Sequence, residues 1–213
     1  VEQILEGKDI ALITDAGTPG ISDPGEELVT MCYEAGVPVT SLPGAAACIT
    51  ALTLSGLSTR RFAFEAFLPM DKKEKAAVLE ELKNETRTMI IYEAPHRLVR
   101  TLGELIQTIG NERRVTICRE LTKKHETAFK TTLGDALNHY QETAPKGECV
   151  IIIEGKSRQL IREEEVRAWE EMTIEEHMEH YENQDIAHKE AMKLVAKDRN
   201  VSKRDIYQYL LKD

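Results

Sequence analysis

Apolar residues along this chain follow two rhythms, and the alternation between them predicts the elements. Short apolar runs at Ile10 to Ile13, Val37 to Leu42, Phe62 to Leu68, Thr88 to Tyr92, Val115 to Leu121 and Glu148 to Glu154 have the length of strands. The last is continuously apolar, as expected of burial on both faces. Between the runs the spacing widens to that of a helix. Leu28, Cys32 and Ala35 mark a helix from Pro24 to Ala35, stopped by Gly36, and Pro43-Gly44-Ala45-Ala46-Ala47 opens a second that ends near Gly56. Lys72 to Asn84 reads as a charged amphipathic helix. Leu98, Leu102, Leu105, Ile106 and Ile109 line one face of the helix that follows Tyr92-Glu93-Ala94-Pro95-His96-Arg97. A polar loop after Leu121 leads to a helix from Thr132 to Gln141 with a Thr-x-x-Asp capping box.

Strands that alternate with helices from Ile10 to Gly155 predict an α/β fold, and a change of rhythm at Leu57 to Arg61 divides a first lobe, residues 1–57, from a second, residues 58–155. The rest, residues 156–213, predicts an acidic linker or exposed helix followed by a small helical domain. Thr173 with Glu176 caps one helix, carrying Ile174, His177, Met178 and Tyr181. Ala187, Ala191, Leu194 and Val195 mark another, and Ser202 with Asp205 caps a third, carrying Ile206, Tyr209 and Leu210. Three short helices with a tight Arg199-Asn200-Val201 turn are similar in outline to a helix-turn-helix.

The stretch Ile10 to Gly25, IALITDAGTPGISDPG, organises the first lobe. A strand feeding a Gly/Pro-rich loop feeding a helix places that loop beyond the carboxyl end of a strand, where open α/β sheets bind ligands. Glycines at 17, 20 and 25 permit close approach of backbone, and prolines at 19 and 24 stiffen the loop. The loop is neither a phosphate-binding P-loop nor a dinucleotide fingerprint. A plainer reading takes it as a βα connection in which Asp23 caps a helix, Pro24 is its first residue and Glu26 completes a capping box. The small residues at 44–47 likewise have two readings, backbone amides offered to a ligand at a helix start or tight helix–sheet packing.

Charge narrows the partners. With 37 acidic against 28 basic side chains and a formal net charge of −9, the chain as a whole repels a polyanion, so nucleic acid must be met by a local basic patch. The last thirty residues mix basic and acidic side chains too evenly to mark such a patch. Cysteines at 32, 48, 118 and 149 lack metal-ligand spacing and sit in apolar runs, which predicts small buried hydrophobes in a reducing compartment. No apolar run reaches membrane-spanning length, and a cytoplasmic location is expected. The opening Val1-Glu2-Gln3 reads as the end of a helix, so a trimmed chain is expected.

DAGTPGISDPG, LPGAAA, Phe67-Leu68-Pro69, YEAPHR, RELTKKHET and GECVIIIEG, in that order, resemble the motifs of a family of bacterial ribosomal small-subunit RNA methyltransferases that modify a cytidine ribose at its 2′-oxygen. That family lies in the tetrapyrrole methylase superfamily. The likeness runs from about Gly7 to Gly155, and the helical tail is similar to the family's C-terminal extension. Family members open with a strand and a Gly-Thr-Pro-Ile-Gly-Asn loop that this chain lacks, so one wall of the donor pocket is expected to lie outside it.

The resemblance implies a two-lobed α/β fold, a homodimer, S-adenosylmethionine as methyl donor, no metal, and small-subunit ribosomal RNA as partner. The donor would touch Thr18 and Ile21, with Asp15 beside them, then Ala46 and Ala47, the Tyr92-Glu93 strand end, and Gly147 and Glu148. RNA would meet Arg97, Arg119, Lys123 and Lys124, and Arg60 beside Arg61 at the lobe boundary. Holding donor and acceptor in line supplies most of such a rate, up to ~7–11 kcal/mol, and a general base adds a further factor. Candidate bases are Asp23, Glu93, His96, Glu120 and Glu126, and the catalytic set is placed at Glu93, His96, Arg119 and Glu120. Two other readings compete, a porphyrin or corrin methyltransferase on the same scaffold and a non-catalytic RNA-binding module. For the donor site to form, the turns at 15–22, 44–47 and 92–97 must share one hollow.

Overall fold

The structure is a computed structural model and describes residues 1–211. Residues 1–155 pack as one compact unit and the chain from Lys156 as a second, so the turn at 57–61 lies inside the first unit.

The first unit is built on five strands, β1 (Phe62–Phe67), β2 (Thr88–Glu93), β3 (Arg114–Arg119), β4 (Thr127–Thr132) and β5 (Cys149–Ile153), in the spatial order β1-β2-β5-β3-β4. β1 and β2 run parallel, and the other three pairings are antiparallel. Register brings five chain ends together. Phe67 lies beside Tyr92, Glu93 beside Cys149, Cys149 beside Arg119, and Arg119 beside Thr127. The turns after β1, β2 and β3 and those before β4 and β5 therefore leave from one end of the sheet.

Helices α1 (Glu2–Leu5), α2 (Glu26–Glu34) and α3 (Ala47–Ser55) precede the sheet, and α4 (Lys72–Leu82), α5 (Pro95–Ile109) and α6 (Leu133–Glu142) connect its strands. One sheet face, with Met89, Ile91, Ile117, Ile151 and Ile153, packs on Leu98, Leu102 and Leu105 of α5 and Leu133 and Ala136 of α6. The opposite face, with Ile90, Cys118, Val150 and Ile152, packs on Cys48, Ala51 and Leu52 of α3. Burial on both faces explains why β2 and β5 are nearly unbroken apolar runs. Thr116 Oγ1 donates to Ser55 O at 3.0 Å, so α3 lies along the sheet with its N-terminus toward the shared end.

Several expectations need correction. Ile10 to Ile13 and Val37 to Leu42 are not strands, and Ile13 is 84% and Leu42 81% exposed. A strand persists only in a ladder, and among the described residues no segment pairs with either run. Asp23 does not cap α2. The cap is Gly25, at φ +154°, where a Cβ would stand 2.8 Å from Leu12 Cδ2, so the loop closes on itself through a glycine. β4 falls within the stretch expected to be a polar loop. As an edge strand paired only with β3 it keeps a polar, half-exposed sequence that hides its period. The Thr132 cap of α6 is half a box, because Thr132 accepts from Asp135 N–H without the reciprocal bond.

The second unit holds α7 (Arg158–Glu171), α8 (Ile174–Glu182), α9 (His188–Asp198) and α10 (Lys203–Leu210). Both expected capping boxes, Thr173 with Glu176 and Ser202 with Asp205, are formed. Met178, Ala191, Val195, Ala196 and Ile206 make its core, while Tyr209, expected on the apolar face, is exposed. Trp169 stacks on buried His177 at 4.1 Å. His177 Nδ1 accepts from Arg199, whose side chain also ties Met172 O and Thr173 O.

Candidate functional site

Two hydrogen bonds gather the three small-residue turns. Thr18 Oγ1 donates to Ala45 O at 3.0 Å, joining the loop at 15–22 to the loop before α3. Cys48 N–H, at the start of α3, donates to the Tyr92 hydroxyl at 3.0 Å, joining that loop to the end of β2. Gly44 permits the first contact, since a Cβ there would lie 3.1 Å from Thr18 Oγ1. The turns at 15–22, 44–47 and 92–97 thus meet at the shared end of the sheet.

Tyr92 sits at that junction with its ring edge-on to Phe64 and Phe67. Burial, with the Cys48 group and the Asp23 carboxylate adding to it, pushes its phenol up to about 12, so it is neutral near pH 7. The hydroxyl accepts from Cys48 N–H and keeps its own proton to donate. In the joined turns Ile21 is 45% exposed, Ala46 half-buried, and Ala47 and Asp15 exposed.

The Glu93 side chain is fully buried and saturated. It accepts from Ala94 N–H at 2.8 Å and Thr101 Oγ1 at 2.5 Å and pairs with Arg97 Nε at 3.3 Å. Arg97 also donates to Leu68 O and to Met70 Sδ. These two residues were expected to act on substrate and donor. In the structure they bond to each other, and Arg97 ties the turn after β1 to the turn after β2. His96, beside them in the first turn of α5, is exposed and has no hydrogen-bond partner among the described residues.

The β3 turn is held by a second latch. Glu120, in the left-handed region at φ +51°, accepts from Glu148 N–H at 3.0 Å and from Lys123 Nζ at 3.3 Å. The backbone bond first, then Lys123, holds its carboxyl below the usual range, so it is a poor proton acceptor. Gly147, at φ +78°, supplies the space, since a Cβ there would fall 2.1 Å from Glu120 Oε1. Lys123 also pairs with Glu148, and Glu126 accepts from Thr122 N–H. Beside this latch opens a cavity of about 610 Å³ lined by Arg119, Lys124, His125 and Lys146. Lys146 and His125 escaped notice in the sequence because each lies in a polar loop with no period.

Arg60 is misplaced by the expectation. Arg61 O accepts from Thr88 N–H, so Arg60 stands at the start of β1 and β2, the opposite end of the sheet. Six residues of strand separate the ends by about 17 Å. All four cysteines are free and buried, and burial raises Cys118 and Cys149 to about 11, which makes these two thiols inert.

Comparison with known proteins gives a consistent set of likenesses. The family of Tetrapyrrole (Corrin/Porphyrin) Methylases matches residues 1–137. The chain is 46% identical over 207 residues to the Ribosomal RNA small subunit methyltransferase I of Halalkalibacterium halodurans, covering 97% of this chain and 71% of that protein. It is 44% identical to the protein of the same name in Bacillus subtilis, with 97% and 70% covered, and 41% identical to that of Synechocystis, with 98% and 73% covered. Among solved structures, the methyltransferase CobJ shares the fold, with a TM-score of 0.55 and 20% identity over 72% of this chain and 67% of CobJ.

Proposed function

This chain belongs to the tetrapyrrole methylase family and within it to the ribosomal RNA small subunit methyltransferases I, and on that premise we propose that it methylates the 2′-hydroxyl of a cytidine ribose in small-subunit ribosomal RNA, with S-adenosylmethionine as donor. The observation that supports this reading is the meeting of three small-residue turns at the sheet end that also carries the unpartnered cations of the β3 turn.

The residues at the junction suit such a donor. Thr18, Ile21, Ala46 and Ala47 offer apolar surface and backbone, and the Tyr92 hydroxyl offers one neutral donor, a set suited to an adenine and a thioether chain. Bound there, S-adenosylmethionine would supply an electrophilic methyl group carried on a sulfonium. The Glu93–Arg97 and Glu120–Glu148 latches fix the turns on either side, and fixed geometry is where most of the rate comes from. As the ribose oxygen gains the methyl group its hydroxyl proton must leave, and we assign its acceptor to His96. It is exposed and unpartnered at the same sheet end, and its ring nitrogen has a lone pair free to take the proton. Glu93 and Glu120 already accept hydrogen bonds from the chain itself, which favours His96 over them.

The test is methyl transfer from labelled S-adenosylmethionine to isolated small ribosomal subunits and, separately, to a uroporphyrinogen. Label recovered as 2′-O-methylcytidine after nuclease digestion is expected. Label on the tetrapyrrole alone overturns the proposal. His96→Ala is expected to lower kcat by about 10²-fold or more with KM little changed.

A further inference from the structure

We propose that the cavity beside the β3 turn is a phosphate site, in which Arg119, Lys124 and Lys146 hold a backbone phosphodiester of single-stranded RNA. The inference rests on the RNA reading above and adds to it a ligand, a place and a residue, Lys146, outside the sequence-derived set.

Arg119 carries the argument. It ends β3 half-buried, its Nε is sealed from solvent without a partner, and no hydrogen bond reaches its guanidinium from any described residue. Acids outnumber bases in this chain, and three other arginines of the sheet and its turns find carboxylates. Arg87 pairs with Glu85, Arg97 with Glu93 and Arg114 with Glu154. A buried cationic donor left without an acceptor is unfavourable and rare in native proteins, so it marks a place where a ligand completes the bonding.

The surroundings define that ligand. Lys124, His125 and Lys146 line the same cavity, and none has a partner among the described residues. The two carboxylates on its wall are already engaged, Glu120 by Lys123 and Glu148 N–H, Glu126 by Thr122 N–H. Three cations against two carboxylates leave the lining with a net positive charge, in a molecule of net charge −9. A guanidinium offers parallel N–H donors in a plane that matches two phosphate oxygens, and two ammonium groups supply mobile charge around them. The volume, about 610 Å³, lies in the range of small-ligand sites. Arg119 is two strands across the sheet from Glu93, about 10 Å, so one RNA segment can occupy the cavity and pass the Tyr92–His96 turn.

Salt dependence tests this. Anisotropy titrations of a short labelled single-stranded oligoribonucleotide, between about 0.05 and 0.2 M salt, would be run on the wild type, Arg119→Gln, Lys124→Ala and Lys146→Ala. Lys83→Ala, an exposed residue at the end of α4, is the control. Each cavity variant is expected to lower the slope of log K against log salt by about 0.7 per phosphate contact, and to weaken binding about fivefold at 0.1 M salt. Lys83→Ala should leave the slope unchanged. As a second readout, the Arg119 Nε–H resonance should move on addition of cytidylyl-cytidine and stay in place with cytidine, which lacks the phosphate. A slope unaltered in all three cavity variants, with wild-type binding intact, overturns the phosphate site and leaves the ribosomal RNA reading standing. Absence of salt-dependent binding by the wild type overturns both.

Discussion

β3 begins and ends on an arginine, and the two meet opposite fates. Arg114 is exposed, yet it lies against the Glu154 carboxylate with two of its nitrogens. Arg119, five residues along and half-buried, has no hydrogen-bond or ion-pair partner among the described residues. β5 repeats the contrast with glycines. Gly155, just past its end, is pressed on backbone, where a Cβ would meet Thr86 O at 2.2 Å, while Gly147 before its start is pressed on the Glu120 side chain. One end of the sheet is closed by contacts the chain makes with itself. The other holds its donors open on a stiff frame, which is what a ligand site requires.

That difference can be tested most sharply at the glycines. Gly155→Ala forces backbone apart at the closed end and should destabilise the chain by about 3 kcal/mol in urea unfolding, since the Thr86 carbonyl has no rotamer to escape into. Gly147→Ala should cost less, about 1–2 kcal/mol, mainly for holding a Cβ at positive φ, because the Glu120 side chain can swing aside. Swinging it aside breaks the bond to Glu148 N–H, so methyl transfer should fall further than the stability loss explains. Equal stability losses with no loss of activity would erase the distinction between the two ends.

The sequence makes the closed parts of the fold easier to read than the open ones, and the reason is physical. β2, β5, α5 and both capping boxes of the second unit announce themselves because burial and capping impose a period or a spacing. Ile10 to Ile13 shows the limit: an apolar run signals a tendency to be covered and is silent about which segment would cover it, and here no described strand pairs with it. At the site, the DAGTPG and YEAPHR turns were legible from their glycines and charges. Their roles were not, because the four-residue spacing of Glu93 and Arg97 fits a pair across one helical turn as well as chemistry, and only the fold brings Thr101 and Leu68 to them. Lys146 had no local signal at all; only folding brings it within reach of Arg119.

The smallest effect separates the two arginines by titration. Hydrogen bonds from Arg114 hold the Glu154 carboxyl below its ordinary value of 4.5, so the folded state binds that proton less tightly than the unfolded chain. The pair's contribution is therefore complete above about pH 4.5 and is lost as pH falls through the lower, folded-state value. The pair is partly exposed and screened by water, which limits it to about 0.2–1 kcal/mol. Arg114→Met should flatten the acid limb of a stability–pH curve by that amount, while Arg119→Met, which removes a charge with no carboxylate bonded to it and only the least of the influences on Glu120, should flatten it less. If both variants flattened the limb alike, Arg119 would have an acidic partner in solution, and the case for an open end would fail.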